Sequence, residues 1–581
     1  AATVQSDSAT VGALLPETAV QDLPLNGRNV FGLVRMVPGA NEGLPSSLST
    51  GNRPDDRRAS SSVSVNGQND IVNNNMVDGM DNNERSIGSL GVRPSVDAIA
   101  EVKVQTNMYT AETGRTAGAV VNILTKSGAN DFSGSAYLFY RNAALDAYNY
   151  FANKSQPVPK NDQQQFGGSL GGPIVRNRTF FFGDYERFHQ VRGITAVATV
   201  PTARMRTGDF SQLSAVIYDP TTAVRTPFPG NVIPAGRIDA VAQKFLNLYP
   251  LPTSGALVNN YTATRDRTQT ADTFDIRVDH RFTNDRIAFV RYSDNRVETV
   301  APGVFEEVNG IAAGGSAGGF AGAATSKAFN VAANYLEVFS PTLIMEVKGG
   351  WTHIDNESVP ETYGQNVSQS FGLPGVNVSD ITSGLPNFTV AGYTTLGDAT
   401  FIPILIKNNN WQVNATVTNT RGNHNLKAGA AVIRRSFLVY QSNNPAGTFG
   451  FTAAPTNNGA GAGGDAVASF LLGYPASVTR AVLIAEPTLQ SWEPSVFVQD
   501  DWRVNDKLTL NIGVRYDVFT PLTEKNGQIA NIDLTTMQFL VPGQNGVGDT
   551  AGVKTDWKNI SPRFGFAYTL AGGTVFRGGY G

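Results

Sequence analysis

The feature that most constrains this chain is a two-residue period that recurs from about residue 131 onward. In 272–282 (DTFDIRVDHRF), Phe274, Ile276, Val278 and Phe282 fall on one face with His280 among them. Thr273, Asp275, Arg277, Asp279 and Arg281 fall on the other. In 507–517 (KLTLNIGVRYD), Leu508, Leu510, Ile512, Val514 and Tyr516 share a face, and 411–418 (WQVNATVT) and 563–570 (RFGFAYTL) alternate in the same way. Side chains on a strand point alternately to its two faces, so this period predicts strands that meet apolar material on one side only.

The connections carry the second constraint. The pattern predicts about thirteen strands. They are joined by short turns near 172–178, 283–284, 340–341, 421–423, 504–506 and 571–573, alternating with long loops near 142–162, 189–271, 295–325, 355–408, 439–491 and 518–559. One end of the sheet is trimmed and the other carries large excursions, as in outer-membrane barrels. A soluble sandwich or propeller has no reason to keep that asymmetry. The charges set the direction of the faces. A Lys or Arg facing lipid at mid-membrane costs ~2–4 kcal/mol, so the charged face of 272–282 must line a wet or protein-filled lumen. The competing reading is an antiparallel sheet in a large soluble protein, with that face in bulk water.

Composition narrows the rest. Charged residues are 16% and Gly is 60 of 581, low and high against the ~25% and ~7% of ordinary soluble domains. No run approaches the ~18–20 apolar residues of a membrane helix. The net charge of −3 argues against a nucleic-acid partner, and the absence of Cys excludes disulfide scaffolds and thiolate chemistry. The first 130 residues differ from the remainder. In 26–38 (NGRNVFGLVRMVP), Val30, Leu33, Val34 and Val37 mark one face of a short helix stopped by Pro38-Gly39. Short strands are predicted at 62–67, 76–79, 101–105 and 120–126, the third preceded by a helical turn from Pro94. Together they predict a compact α/β unit.

The chain resembles a TonB-dependent outer-membrane receptor of the Oar-like branch. The resemblance rests on LPLNGRN (23–29), VPG (37–39), VNG (65–67), VDG (77–79), IAEVKV (99–104) and AGAVVNILTKSG (117–128). Further matches are VPTARMRTGDFS (200–211), FPGNVIPAGRID (228–239), FVQDDWRVNDKLTLNIGVRYD (497–517) and SPRFGFAY (561–568). It implies a mainly β fold: a plug over 1–130 and a partial transmembrane antiparallel barrel over 131–581. It implies an outer-membrane location in a Gram-negative-type bacterium, lipid and the TonB energy-coupling complex as partners, and import driven by the inner-membrane proton-motive force. The extracellular ligand is open among glycan, peptide and metal chelate. The plug-motif residues are Asn26, Gly27, Arg28, Asn66, Gly67, Asp78, Gly79, Glu101, Gly118, Asn122 and Lys126. Residues 1–11 (AATVQSDSATV) give no convincing coupling segment, the chain closes on RGGYG, and thirteen strands is odd. The expectation is a plug with the first part of a barrel, unable by itself to insert or transport.

The site expectations are modest. No catalytic residue, metal site or cofactor is expected, and the chain is read as non-enzymatic. His189, His280, His353 and His424 lack ligand spacing, and GAGAGG (459–464) lacks the βαβ context a nucleotide loop needs. The Asn/Asp run 70–84 reads as turn chemistry. Arg28, Lys103, Arg115 and Lys126 are expected to pair with acidic residues of the barrel wall. An amphipathic helix is predicted in 237–249 (RIDAVAQKFLNLY); Arg237, Phe245 and Tyr249, with Tyr148, Tyr150 and Phe151, are candidates for an outer ligand mouth, and local packing among the loops is the alternative. Adhesion through the long loops is the alternative function, and a secreted glycan-active enzyme is the least favoured.

Overall fold

The computed structural model describes residues 8–23, 25–42, 63–84, 90–148, 158, 160–315, 320–481, 484–570 and 574–581. The N-terminal part builds a five-stranded mixed sheet from β1 (Val11–Pro16), β2 (Asn74–Val77), β3 (Met80–Asp81), β4 (Ile99–Asn107) and β5 (Val120–Thr125), in the order β1-β4-β5-β2-β3. Only β2 and β5 run parallel. Val30, Leu33, Val34 and Val37 are all buried beneath it, as their spacing predicts, on a 3-10 turn (Asn26–Arg28) followed by a single helical turn (Phe31–Val34). Val102, Val104, Val121 and Ile123 supply the facing side chains. The turns Asn66-Gly67 and Asp78-Gly79 hold both residues at positive φ (52° and 76°; 52° and 77°). Asn and Asp tolerate that region and Gly enters it freely, which explains both dipeptides.

The wall is a 14-stranded sheet in which thirteen strands follow one another in chain order, every pair antiparallel. They are β6 (Ser133–Arg141), β7 (Asn161–Val175), β8 (Thr179–Ala198), β9 (Tyr261–Thr283), β10 (Arg286–Ala301), β11 (Gly322–Ser340), β12 (Leu343–Val359), β13 (Ile404–Arg421), β14 (His424–Gln441), β15 (Thr488–Arg503), β16 (Leu508–Asp517), β17 (Ile560–Thr569) and β18 (Val575–Tyr580). The short Thr523–Glu524 pairs with β15 beside this path. Within the described residues β6 and β18 have one neighbour each. Five of the six short connections fall where the sequence puts them, and the sixth, 571–573, lies outside the described residues. The long ones are shorter than expected at their bases, because the ladders run on: β8 has 20 residues and β9 has 23, where ~9–11 cross a bilayer. The added stretches, HQVRGITAVA and YTATRDRTQTA, are rich in β-branched residues but carry no one-sided apolar alternation, so the period fails there while the pairing does not.

Burial decides between the two readings of the strands. Phe274, Ile276 and Val278 are 37–40% exposed, whereas Asp275 of the charged face is 2% exposed. On β15, Trp492, Pro494, Val496 and Val498 point outward, and Ser491, Glu493, Ser495 and Gln499 are buried. The sheet is apolar outside and polar inside, the inverse of a soluble sheet, and the plug occupies its polar concavity.

Candidate functional site: the seam between plug and wall, and the loop cap

The seam is built from charge pairs and amide contacts. Asp81, which ends the plug hairpin β2–β3, is gripped by Arg435 of β14 through two bonds of 3.1 Å. Arg435 also donates to Glu493 of β15 at 2.9 Å. Arg115 of the plug bridges the same two carboxylates, at 3.2 Å to Asp81 and 2.8 Å to Glu493. Two cations and two anions thus form a closed neutral ring, with Arg435 1% exposed. Gln412 of β13 accepts from Asp81 N at 2.9 Å and donates to its carbonyl at 3.0 Å. One turn away, Asp78 accepts from Arg291 of β10 at 2.7 Å and from Thr125 N at 2.9 Å. Gly79 is at φ 77°, a backbone conformation that L side chains rarely adopt, and its nearest neighbour is the movable tip of Lys348.

A third clamp joins Arg28 to Glu186 of β8 at 3.2 Å and to Asp97 of the plug, with the guanidinium 4.2 Å above the Tyr137 ring. Beside it, Ser95 caps the turn Val96–Ala98 and donates its hydroxyl to Asp184, while its N–H faces Asp275. Asp184 and Asp275 are directly opposite each other on β8 and β9. At the far side, Arg515 of β16 donates to the carbonyls of Ala111 and Glu112 at 3.2 and 2.9 Å, and Arg563 of β17 to those of Tyr109 and Thr110. A cavity of about 200 Å³ lies in the seam toward the short-turn end. Lys103, Lys348, Lys427, Arg515, Glu112 and Glu346 bring the charge to its lining.

Of the four plug cations expected to meet the wall, Arg28 and Arg115 do so. Lys126 instead pairs inside the plug with Glu17 at 2.8 Å, and Lys103 lines the cavity without an ion pair among the described residues. The reverse polarity, plug carboxylates held by wall arginines, was missed. Arg291 and Arg435 lie on the inward face of strands whose outward face is apolar, and that parity is the signal that could have found them. Among the remaining motif residues, Asn66 donates to Thr106 O at 3.0 Å, Asn122 accepts from Gly79 N at 3.0 Å, and Gly118 N donates to Thr116 Oγ1 at 3.1 Å. Glu101 is half-buried on β4, opposite Pro16 and Leu124. Gly27 is at φ 61° within its turn; the Asn26 side chain lies outside the described part.

Four of the long connections pack into one cap over the wall. Its core takes residues from 199–260, 302–321, 360–403 and 442–487. Phe388 and Phe451 stack on Phe470 at 5.1 and 4.3 Å. The predicted helix in 237–249 is shorter, Ala240–Leu246, capped by Asp239. Phe245 and Tyr249 are each 1% exposed in this core, and Tyr249 donates to Thr394 O at 2.7 Å. Local packing is therefore what these two side chains do. Arg237 is tied to Asp219 at 2.6 Å, a bond that holds the Asp219 carboxyl well below the usual range. Tyr148 is exposed, and Tyr150 and Phe151 lie outside the described residues. Deeper in the cap, burial pushes the Asp398 carboxyl up to about 7, opposed by bonds from Thr362 and from Leu385 N (2.8 Å). The four histidines are apart, hydrogen-bonded to Thr270, Thr179, Asn409 and Asp500 respectively. No metal-ligating group of three or more side chains occurs among the described residues.

A family model described as an outer membrane beta barrel domain matches residues 124–581. The chain is similar to the TonB-dependent transporter Oar of Myxococcus xanthus, 24% identical over 512 residues, 78% of this chain and 43% of that protein. It thus spans less than half the length of that relative. Among solved structures it is similar to the outer membrane transporter YddB from Escherichia coli, with TM-score 0.53 and 12% identity over 98% of this chain and 60% of the other. It is also similar to the unliganded ferric citrate transporter FecA, with TM-score 0.52 and 9% identity over 98% and 61%. At these identities the likeness is one of fold.

Proposed function

This chain belongs to the outer-membrane β-barrel domain family, and from that membership we propose that it is the plug (1–130) and barrel portion (131–581) of a TonB-dependent transporter. In this reading the protein binds a ligand at the cell surface and imports it when the inner-membrane proton-motive force, relayed by TonB, moves the plug. The observation that carries the proposal is the character of the seam. An apolar plug–wall contact would seal permanently. Charge pairs and amide bonds are exchangeable with water, so a plug held by them is stable at rest and displaceable under a pull. The cavity beside Lys103 and Lys348 gives that displacement an existing wet space to widen. An outer-membrane β-barrel lies in a membrane without a nucleotide supply, and mechanical pulling on an extended segment paired by strand addition would deliver the work. The fold neighbours and the curated relative are transporters by name, which does not favour the adhesive alternative.

A lock tests it. The chain has no Cys, so Ser95→Cys with Asp184→Cys in the full-length protein places a single pair where two short side chains already touch. Oxidised, the pair should abolish TonB-dependent growth and leave surface binding of the growth-supporting ligand intact; reductant should restore growth. Unchanged growth with the cross-link formed would refute plug movement.

A further inference from the structure

Two carboxyl groups of the wall meet the plug without a cation between them. Asp184 of β8 and Asp275 of β9 are directly opposite each other on the inward face, 5% and 2% exposed. Side chains so placed have Cβ atoms ~5 Å apart, a position in which like charges repel. The plug covers both at one point. Ser95, itself buried, donates its hydroxyl to Asp184 Oδ2, and its backbone N–H reaches Asp275 Oδ2 at 3.4 Å. Ser293 of β10 donates its hydroxyl to Asp275 Oδ1. Asp184 Oδ1 is buried and has no hydrogen-bond partner.

The neighbouring cations are engaged elsewhere. From the plug, Arg28 holds Asp97 and Glu186, and the Arg93 guanidinium lies over the Phe31 ring at 6.0 Å. Arg291 of β10, the cation beside Asp275, donates to Asp78 and Asn330 at 2.7 Å each and to Ser293. Arg277 of β9 donates to Asp279 at 2.8 Å and to Thr125 at 3.1 Å. On β7 the residue opposite Asp184 is the neutral Ser169. The other groups that face the pair, Asp78 and Asp97 from the plug and Glu186 from β8, are carboxylates themselves. Neither Asp184 nor Asp275 makes an ion pair among the described residues.

An ionised carboxylate only accepts hydrogen bonds, so two that face each other offer no donor. One proton changes that: a protonated Asp184 Oδ1 is an O–H donor, and the pair then carries one negative charge instead of two. A proton also needs no space, which suits an oxygen packed away from water.

We propose that Asp184 and Asp275 form a proton-binding site in the seam, a carboxyl pair that shares one proton while Ser95 covers it. The proton comes from water as the plug seats. It returns to water when Ser95 lifts and both carboxylates are hydrated. Seating the plug is thereby linked to the uptake of one proton, and acid favours the seated state. The site rests on the plug–wall contact alone and is independent of TonB: a failure of the plug-lock experiment leaves it standing.

The test uses full-length protein in mild detergent. Infrared difference spectra at neutral pH, wild type minus Asp184→Asn, should show one protonated-carboxyl carbonyl band that shifts in D2O; the Asp398 carboxyl, common to both, cancels. Plug opening is read by pulse proteolysis in urea, with the barrel as the undigested reference. An amide is the uncharged isostere of the protonated acid and takes up no proton on seating. Asp184→Asn should therefore open less easily than wild type at neutral pH, the gap closing by up to about tenfold per pH unit on acidification. Asp275→Asn, carried through both measurements, should also remove the band, and it answers the question if the first variant does not fold. Absence of the band, easier opening of Asp184→Asn than of wild type, or a gap that does not change with pH would each overturn the proposal.

Discussion

Replacing Arg435 by Met isolates what the buried ring contributes. At rest Asp81, Glu493, Arg115 and Arg435 sum to zero charge, with Arg435 making three bonds of 2.9–3.1 Å. Arg435→Met leaves two carboxylates against one guanidinium in a seam whose side chains are 7–11% exposed. Breaking a buried pair by removing one partner costs ~3–5 kcal/mol. Opening of the plug sheet should therefore become ~10²–10⁴-fold easier. The second variant, Asp81→Asn with Arg435→Met, removes one charge of each sign. Arg115 and Glu493, 2.8 Å apart, then remain as a neutral pair, so the double variant should cost less than the two single variants combined, with a coupling of ~1–3 kcal/mol. The assay is hydrogen exchange of the β4 and β5 amides in full-length protein, with barrel strands as the internal reference. A change under about threefold in the single variant, or strict additivity in the double, would refute the claim that the ring holds the plug.

Two further outcomes follow from the cap. The Asp398 carboxyl, ordinarily near 3.8, is raised to about 7 by burial. A raised carboxyl stabilises the folded form only while protonated, so cap stability should be full below about pH 4 and fall as pH rises toward 7, by at most ~4 kcal/mol. Limited proteolysis of 360–403 across that window should show the loss, and Asp398→Asn should flatten it. Phe245→Ala should loosen the cap by ~3–5 kcal/mol and Tyr249→Phe by ~1 kcal/mol. Both should leave the heat-modifiable gel mobility of the barrel unchanged.

The two-residue period was enough to orient 272–282, because a lipid-facing strand cannot hide four charges on one side. It was not enough above the membrane, where both faces of 189–198 and 261–271 meet water or protein and the ladder continues without alternation. In the plug, Val30, Leu33, Val34 and Val37 were legible because helical spacing is local. The Asp78 and Asp81 contacts were not, since a turn carboxylate looks the same whether it meets water or Arg291 and Arg435 more than 200 positions away. Lys126 shows the converse: its partner, Glu17, is inside the plug, and only the folded sheet brings them together. Phe245 and Tyr249 read equally well as mouth or as packing, and burial alone separates those.

The strands that overrun the bilayer carry the cap on a hydrogen-bonded collar, with aromatic side chains locked beneath its surface. With the long connections at the cell surface, as proposed, what a phage fibre or an antibody meets is a fixed relief assembled from four distant stretches of chain. Recognition of it would be lost on denaturation, and a linear peptide copied from any one stretch would not reproduce it.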